Sequence, residues 1–165
     1  MIALELAERV RARSPDVVVA RGEAMLMVER DELLDTLQAL RDDPELRLDS
    51  LSSVTATDRP GLDPRFWVAY ELYSGAHHHR LRVKVALAED DARVPSVTGL
   101  FPTADWHERE TYDFYGIVFD GHPNLRRILL PDDWEGFPLR KTEELGGVNT
   151  QYHGAFIPPV DRRMS

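Results

Sequence analysis

A chain of 165 residues, 42% hydrophobic and 30% charged, has the size and composition of one globular domain able to bury its own core. Its 29 acidic against 20 basic residues give a formal charge of −9, the wrong sign for a free-standing nucleic-acid binder. It has no cysteine, which excludes disulfides, thiolate nucleophiles and any iron–sulfur cluster held by its own thiolates.

Ile2, Leu4, Leu6, Ala7 and Val10 recur at helical spacing, which predicts a short amphipathic helix over 2–13, stopped by Ser14-Pro15-Asp16. Glu5 and Glu8 interrupt the apolar pattern, so this is not a signal peptide. No run of about 18 apolar residues follows, so membrane association is expected only through a partner. Val17–Val19 and Met25–Val28 flank Arg21-Gly22-Glu23, a hairpin pattern. Asp31 is placed to cap a second helix whose stripe is Leu33, Leu34, Leu37 and Leu40 and which Asp42-Asp43-Pro44 ends. The Leu-, Val- and Thr-rich stretch 46–58 reads as a strand, and Arg59-Pro60-Gly61 as a turn.

Phe66, Val68, Tyr70 and Leu72 alternate with Trp67, Ala69, Glu71 and Tyr73; Leu81, Val83, Val85 and Leu87 alternate with Arg82, Lys84 and Ala86. These are two antiparallel strands whose Leu/Val face meets helices and whose Arg/Lys face meets solvent or a partner. Pro102 then starts a helix over about 103–115. After Gly116 periodicity fades, and a long irregular segment is expected to be covered by a neighbouring protein. The expected architecture is a two-layer α+β domain with an antiparallel or mixed sheet and helices on one face (residues 1–116), followed by an extended C-terminal arm (117–165) that packs on partner subunits.

His77-His78-His79 offers at most two ligands on one side of a strand, and a solvated hairpin turn accounts for it better than a metal. A hydrolytic metal site would have to combine His107, Glu110, Asp113 and His122, but no second His lies one helical turn from His107. Gly116, Gly121-His122-Pro123 and Gly136-Phe137-Pro138 mark forced backbone turns, with His122 capping its loop or carrying a proton. Arg126-Arg127 and Arg140-Lys141 lie beside Trp134, Phe137 and Leu139, the composition of interface anchors. Reversing Arg126 and Arg127 to Glu is therefore expected to weaken assembly while leaving the domain folded.

The run ERETYDFYGIVFDGHPNLRRILLPDDWEGFPLRK (108–141), supported by HRLRVKVALAEDDARVPSVTGLFPTADW (79–106) and more weakly by LDSLSSVTATD (48–58), resembles the 30-kilodalton subunit family of respiratory complex I. In bacteria that family is the C-subunit of NADH–quinone oxidoreductase. The resemblance implies a hydrophilic-arm component of a proton-translocating complex, without flavin, cluster, metal or catalytic residue of its own. The complex itself uses FMN, iron–sulfur clusters and quinone. The implied partners are the large hydrogenase-like D-subunit and the iron–sulfur subunits near the quinone site, with no nucleic acid. The implied location is the cytoplasmic face of the bacterial cell membrane, peripherally bound. Relatives in membrane-bound hydrogenases or other-donor quinone reductases are the alternative, and a free-standing metal hydrolase a weaker one.

Residue by residue, Glu108, Arg109, Glu110, Asp113 and Gly116 match the family's first motif block. Gly121, His122, Pro123, Leu125, Arg126 and Arg127 match its second, and Asp133, Gly136, Pro138, Leu139, Arg140 and Lys141 its third. The resemblance assigns all of them to structure and subunit contact. After Lys141 the family continues with an acidic residue and an aromatic; here Thr142-Glu143-Glu144-Leu145 follows.

Overall fold

The computed structural model describes residues 3–11 and 16–143. Its elements are α1 (Ala3–Arg11), β1 (Val17–Ala20), β2 (Glu23–Met27), a 3-10 turn (Arg30–Glu32), α2 (Leu33–Asp42), β3 (Ser50–Asp58), β4 (Phe66–Ser74), β5 (His79–Leu87), β6 (Arg93–Pro95), α3 (Ala104–Tyr115) and β7 (Val118–Asp120). Five strands form one sheet in the order β1-β2-β5-β4-β3. Within it only β2 and β5 run parallel, so the sheet is mixed.

The period-2 pattern decides which face is inside. Val68 pairs with Val85, Tyr70 with Val83 and Leu72 with Leu81, while Val54 and Ala56 of β3 stand opposite Tyr70 and Val68. All of these side chains are buried, and they join Leu6, Ala7 and Val10 of α1 and Leu33, Leu37 and Leu40 of α2 in one core. Cross-strand pairs of this kind are the unit of sheet stability, and a slip of one residue would turn the set out to solvent. The other face, with Trp67, Glu71, Arg82 and Lys84, is only half-buried. There Arg82 joins Glu71 and also Glu23, which lies 3.0 Å away.

The β1–β2 hairpin turns through Arg21 (φ 54°) and Gly22 (φ 79°). Both central residues thus have positive φ, as the turn that matches strand twist requires.

Three local expectations are corrected. Asp31 does not cap α2: it lies inside the 3-10 turn, 3.7 Å from Arg30, and the N-cap position is Glu32, without a side-chain cap bond. The third strand starts at Ser50: Leu46 and Leu48 are buried from the loop before it, where Arg47 takes a left-handed φ of 43° that a strand does not admit. The His77–His79 run is not simply solvated. His79 is buried and its Nε2 lies 2.8 Å from the Leu46 carbonyl oxygen, while His77 Nε2 lies 3.1 Å from that of Pro44. The two rings stack at 5.7 Å and pin the β4–β5 turn to the loop after α2.

The periodicity did not reveal β6 and β7, which pair in parallel as a separate two-stranded ribbon. Each has three residues, too few for an alternation to register. Val94, Ile117 and Phe119 are buried in the core, so residues 117–120 belong with the domain and the arm proper starts at Gly121. From there to Glu143 the chain runs through turns. The rest of the arm, 144–165, lies outside the described residues.

Candidate functional site: a charge-latched arm and the surface above it

Helix α3 buries Glu108, Arg109 and Asp113, three charged side chains in a helix of 12 residues. Buried charges persist only when paired or hydrogen-bonded, and each of these is spent on fixing the chain around the helix. Asp113 Oδ2 accepts the amides of Ile128, Leu129 and Leu130 at 3.1, 2.9 and 3.0 Å. Its Oδ1 accepts Arg127 Nη1 at 2.8 Å. Burial alone would raise the Asp113 pKa, but the bonds from Leu130, Arg127, Leu129 and Ile128 prevail and hold it below the ordinary value. Arg127 in turn donates through Nη1 to the Asp113 carbonyl and through Nη2 to those of Trp134 and Gly136.

A second latch closes the far end of the arm. Helix α3 stops at Gly116, in the left-handed conformation (φ 69°) that a C-terminal glycine supplies. A Cβ there would sit 2.5 Å from Phe137 Cε2 and 2.8 Å from Arg140 Nη2. Arg140 lies between the rings of Phe66 and Phe137, 5.2 and 4.7 Å from their centres, and donates to the Tyr115 carbonyl at 2.7 Å. Below it Arg65 forks onto Asp58 at 2.7 and 2.9 Å, and the spare capacity of Asp58 Oδ2 takes the Lys141 amide at 2.7 Å. Arg65 also reaches Glu89 and the Thr142 hydroxyl. The Arg65 bonds hold the Asp58 pKa down against burial.

A third group sits at the start of α3. Glu108 Oε1 accepts the Val97 amide at 2.7 Å and Oε2 accepts the Ser96 hydroxyl at 2.6 Å. Desolvation nevertheless pushes its pKa up to about 7. The buried His122 ring accepts the Asn124 amide on Nδ1 at 3.0 Å and turns Nε2 to the Asp105 carbonyl at 3.2 Å.

Arg109 stacks on Trp106 at 5.1 Å and donates to the carbonyls of Arg126 and Arg127, which brings Trp106 beside the 126–130 segment. Of the residues expected at a subunit contact, Glu108, Arg109, Asp113, His122 and Arg127 therefore use their side chains within the chain, and Arg140 is sandwiched there. These serve the fold. Glu110, Gly121, Pro123, Arg126, Gly136 and Lys141 are exposed, Pro138 is half-buried, and Gly116 is pressed under the arm. The two arginines are placed differently: Arg126 presents its side chain outward, whereas Arg127 spends its guanidinium on Asp113 and the carbonyls of Trp134 and Gly136. His107, Glu110, Asp113 and His122 do not converge, since Asp113 is committed to its amides and Glu110 faces solvent; among the described residues no three His, Cys, Asp or Glu cluster as metal ligands.

Sequence reading missed Asp58, Arg65, Ser96 and Tyr70, which come from other elements and carry no local signature, and Asp105 in the first turn of α3 itself. The nearest signal was a buried-face position at the end of β3 occupied by Asp58. Above the latches Trp106 (64% exposed), Leu129 (60%) and Leu139 (43%) face outward.

Fold and site define an α+β domain whose charged signature clamps its own C-terminal arm and leaves large apolar side chains on the surface. The family described as "Respiratory-chain NADH dehydrogenase, 30 Kd subunit" matches residues 26–149. The chain is 52% identical over 148 residues to the NADH-quinone oxidoreductase C-subunit of Mycolicibacterium gilvum, covering 89% of this chain and 66% of that protein. With the same protein of Salinispora arenicola it shares 51% over 150 residues, 90% of this chain and 61% of the relative. It thus spans about three fifths to two thirds of the curated relatives' length. The solved trypsin-resistant fragment (1-134) of Nqo5 superposes with a TM-score of 0.62 at 30% identity, over 72% of this chain and 98% of that one. A chain of the archaeal membrane-bound sulfane sulfur reductase shares the fold, with a TM-score of 0.71 at 24% identity over 86% and 85%. The chain belongs to the family of the 30 Kd subunit of respiratory-chain NADH dehydrogenase.

Proposed function

We propose that this chain is the 30-kilodalton subunit of a proton-translocating NADH-quinone oxidoreductase, and that it contributes shape and adhesion rather than a catalytic centre. In this reading it sits in the hydrophilic arm on the cytoplasmic face of the membrane. There it holds the large hydrogenase-like subunit and the iron–sulfur subunits near the quinone site, while FMN, clusters and quinone are bound by other chains. Relatives named as this component of NADH-quinone oxidoreductase support the reading. No described helix is long and apolar enough to cross a membrane, in keeping with attachment through a partner.

The observation that carries the proposal is the division of labour on α3 and the arm: Glu108, Arg109, Asp113 and Arg127 turn their charges inward, and Trp106, Leu129 and Leu139 face outward. Large apolar side chains held rigidly at a surface are the usual anchors of interfaces. Trp106→Asp combined with Leu129→Asp tests it. The double variant should keep the circular dichroism and melting of the wild-type chain, yet copurify with its neighbours in mild detergent at least about tenfold less. Normal incorporation would end the proposal.

A further inference from the structure

The start of α3 holds a cluster that the docking role does not use. Glu108 is fully buried, and so are the imidazole of His122 and the hydroxyl of Tyr70. His122 Nε2 lies 4.0 Å from Glu108 Oε2 and 3.5 Å from Asp105 Oδ1. Tyr70 Oη and Asp105 Oδ1 are buried without a hydrogen-bond partner. The Tyr70 hydroxyl is held neutral by burial and by the charge of Glu108. The titratable groups facing Glu108 are thus Asp105 on its own helix, Tyr70 from β4 and His122 from the turn after β7. The loop after β6 offers an amide and two hydroxyls but no charge.

Those hydroxyls form a chain. Ser96 Oγ lies 2.6 Å from Glu108 Oε2 and 2.8 Å from Thr98 Oγ1, and Ser96 and Thr98 are only half-buried. It can be written in two directions. With Glu108 ionised, Thr98 donates to Ser96 and Ser96 to the carboxylate. With Glu108 protonated, its O–H donates to Ser96 and Ser96 to Thr98. Switching moves one proton per link: the Ser96 proton passes to Oε2, the Thr98 proton to Ser96, and a proton taken from bulk solvent (hydronium, leaving water) restores Thr98; ionisation runs the same steps in reverse. A buried carboxyl with a continuous hydroxyl path to the surface exchanges its proton without opening the fold.

The opposite side of Glu108 faces His122. Because Nδ1 accepts the Asn124 amide, the ring proton sits on Nε2 and points toward Asp105 and Glu108. We propose that Glu108 is a reversible proton-binding site, loaded through Ser96 and Thr98, and that its charge sets how firmly His122 and the turn that launches the arm are held on α3. An ionised Glu108 attracts the Nε2–H and tightens the turn; a neutral one leaves it to the Asp105 carbonyl.

The test is an NMR titration of the full chain from pH 5 to pH 9, with carboxyl ¹³C labels and the amide-exchange protection factor read at Asn124. Glu108 should titrate with a midpoint of about 7. Asn124 amide protection should rise with that same midpoint as Glu108 ionises. Ser96→Ala, which removes a bond to the ionised form, should raise the midpoint. In Glu108→Gln the change in Asn124 protection at that midpoint should vanish. A Glu108 midpoint in the ordinary carboxylate range, or Asn124 protection that does not follow Glu108, overturns the proposal. The wild-type titration decides this alone if a variant fails to fold.

Discussion

Asp113→Asn is the sharpest perturbation of the latch, because it keeps size and shape and removes only charge and symmetry. The carboxylate takes three amides on Oδ2 and Arg127 on Oδ1. An asparagine has one carbonyl oxygen. If that oxygen keeps the amides, the NH₂ faces Arg127 donor to donor; if it turns to Arg127, the NH₂ faces three N–H groups. Breaking a buried pair by removing one partner costs about 3–5 kcal/mol. The lower end, about 3 kcal/mol, applies here because the Arg127 side chain is 15% exposed and keeps its carbonyl acceptors. For a domain of this size about 3 kcal/mol lowers the melting temperature by about 6–12 °C. Thermal unfolding followed by circular dichroism at pH 7 reads it. The sign of the pH dependence follows from the depressed pKa. The contribution of Asp113 is present above the unfolded carboxylate pKa and lost as pH falls through the lower folded value, so wild type and variant should converge in acid. A variant that melts within 2 °C of wild type at pH 7, on the order of the effect of 0.5–1 kcal/mol, would refute the latch.

Glu108 has the opposite sign. Its folded pKa is raised from 4.5 to about 7, so its stabilising contribution is complete below the unfolded pKa and is lost as pH rises to about 7. The loss amounts to about 3 kcal/mol. Urea unfolding should show this decline in wild type and a flat profile in Glu108→Gln, which should be the more stable protein at pH 8. Gly116→Val combines a strained φ with a collision against Phe137. It should cost at least about 2 kcal/mol and expose the arm to trypsin, and an unchanged melting curve would contradict it. Arg127→Glu places a second carboxylate against Asp113 and should destabilise the isolated chain by at least about 3 kcal/mol, whereas Arg126→Glu should change its melting little. Equal melting of the two variants would show that the guanidinium of Arg127 is not a clamp.

The layers of the fold were legible because each rests on a local period. Leu81 to Leu87 and Phe66 to Leu72 alternate cleanly, and Leu33, Leu37 and Leu40 recur at helical spacing. Leu34 looked like part of that stripe but is 38% exposed, since the stripe needs only one face. The backbone demand at Gly116 was legible for the same reason: a glycine at the end of an apolar helical pattern. The destination of the charges was not. Asp113 and Arg127 are 14 residues apart, and Asp58 meets the Lys141 amide across 83. No periodicity encodes such pairs, and an aromatic-flanked arginine looks the same in sequence whether it is an interface anchor or an internal clamp. The ribbon of β6 and β7 escaped notice through its shortness, and the cap expected at Asp31 through a 3-10 turn that shifted the helix start.

The latch also bears on docking. Three consecutive amides bound to one carboxylate oxygen fix the backbone at 128–130, and the middle residue of that set, Leu129, is 60% exposed. Arg109 ties the preceding carbonyls to the helix that carries Trp106. The exposed anchors are therefore held by buried charge rather than by packing of their own, which reduces the conformational entropy a partner must remove on binding. It follows that Asp113→Asn and Leu129→Asp act on one quantity, the presentation of Leu129. Their effects on incorporation into the assembly should be less than additive, with a coupling of about 0.5–3 kcal/mol in a double-mutant cycle on copurification. Strict additivity would mean that the carboxylate and the leucine serve separate ends, and that the arm's clamp contributes to the fold alone.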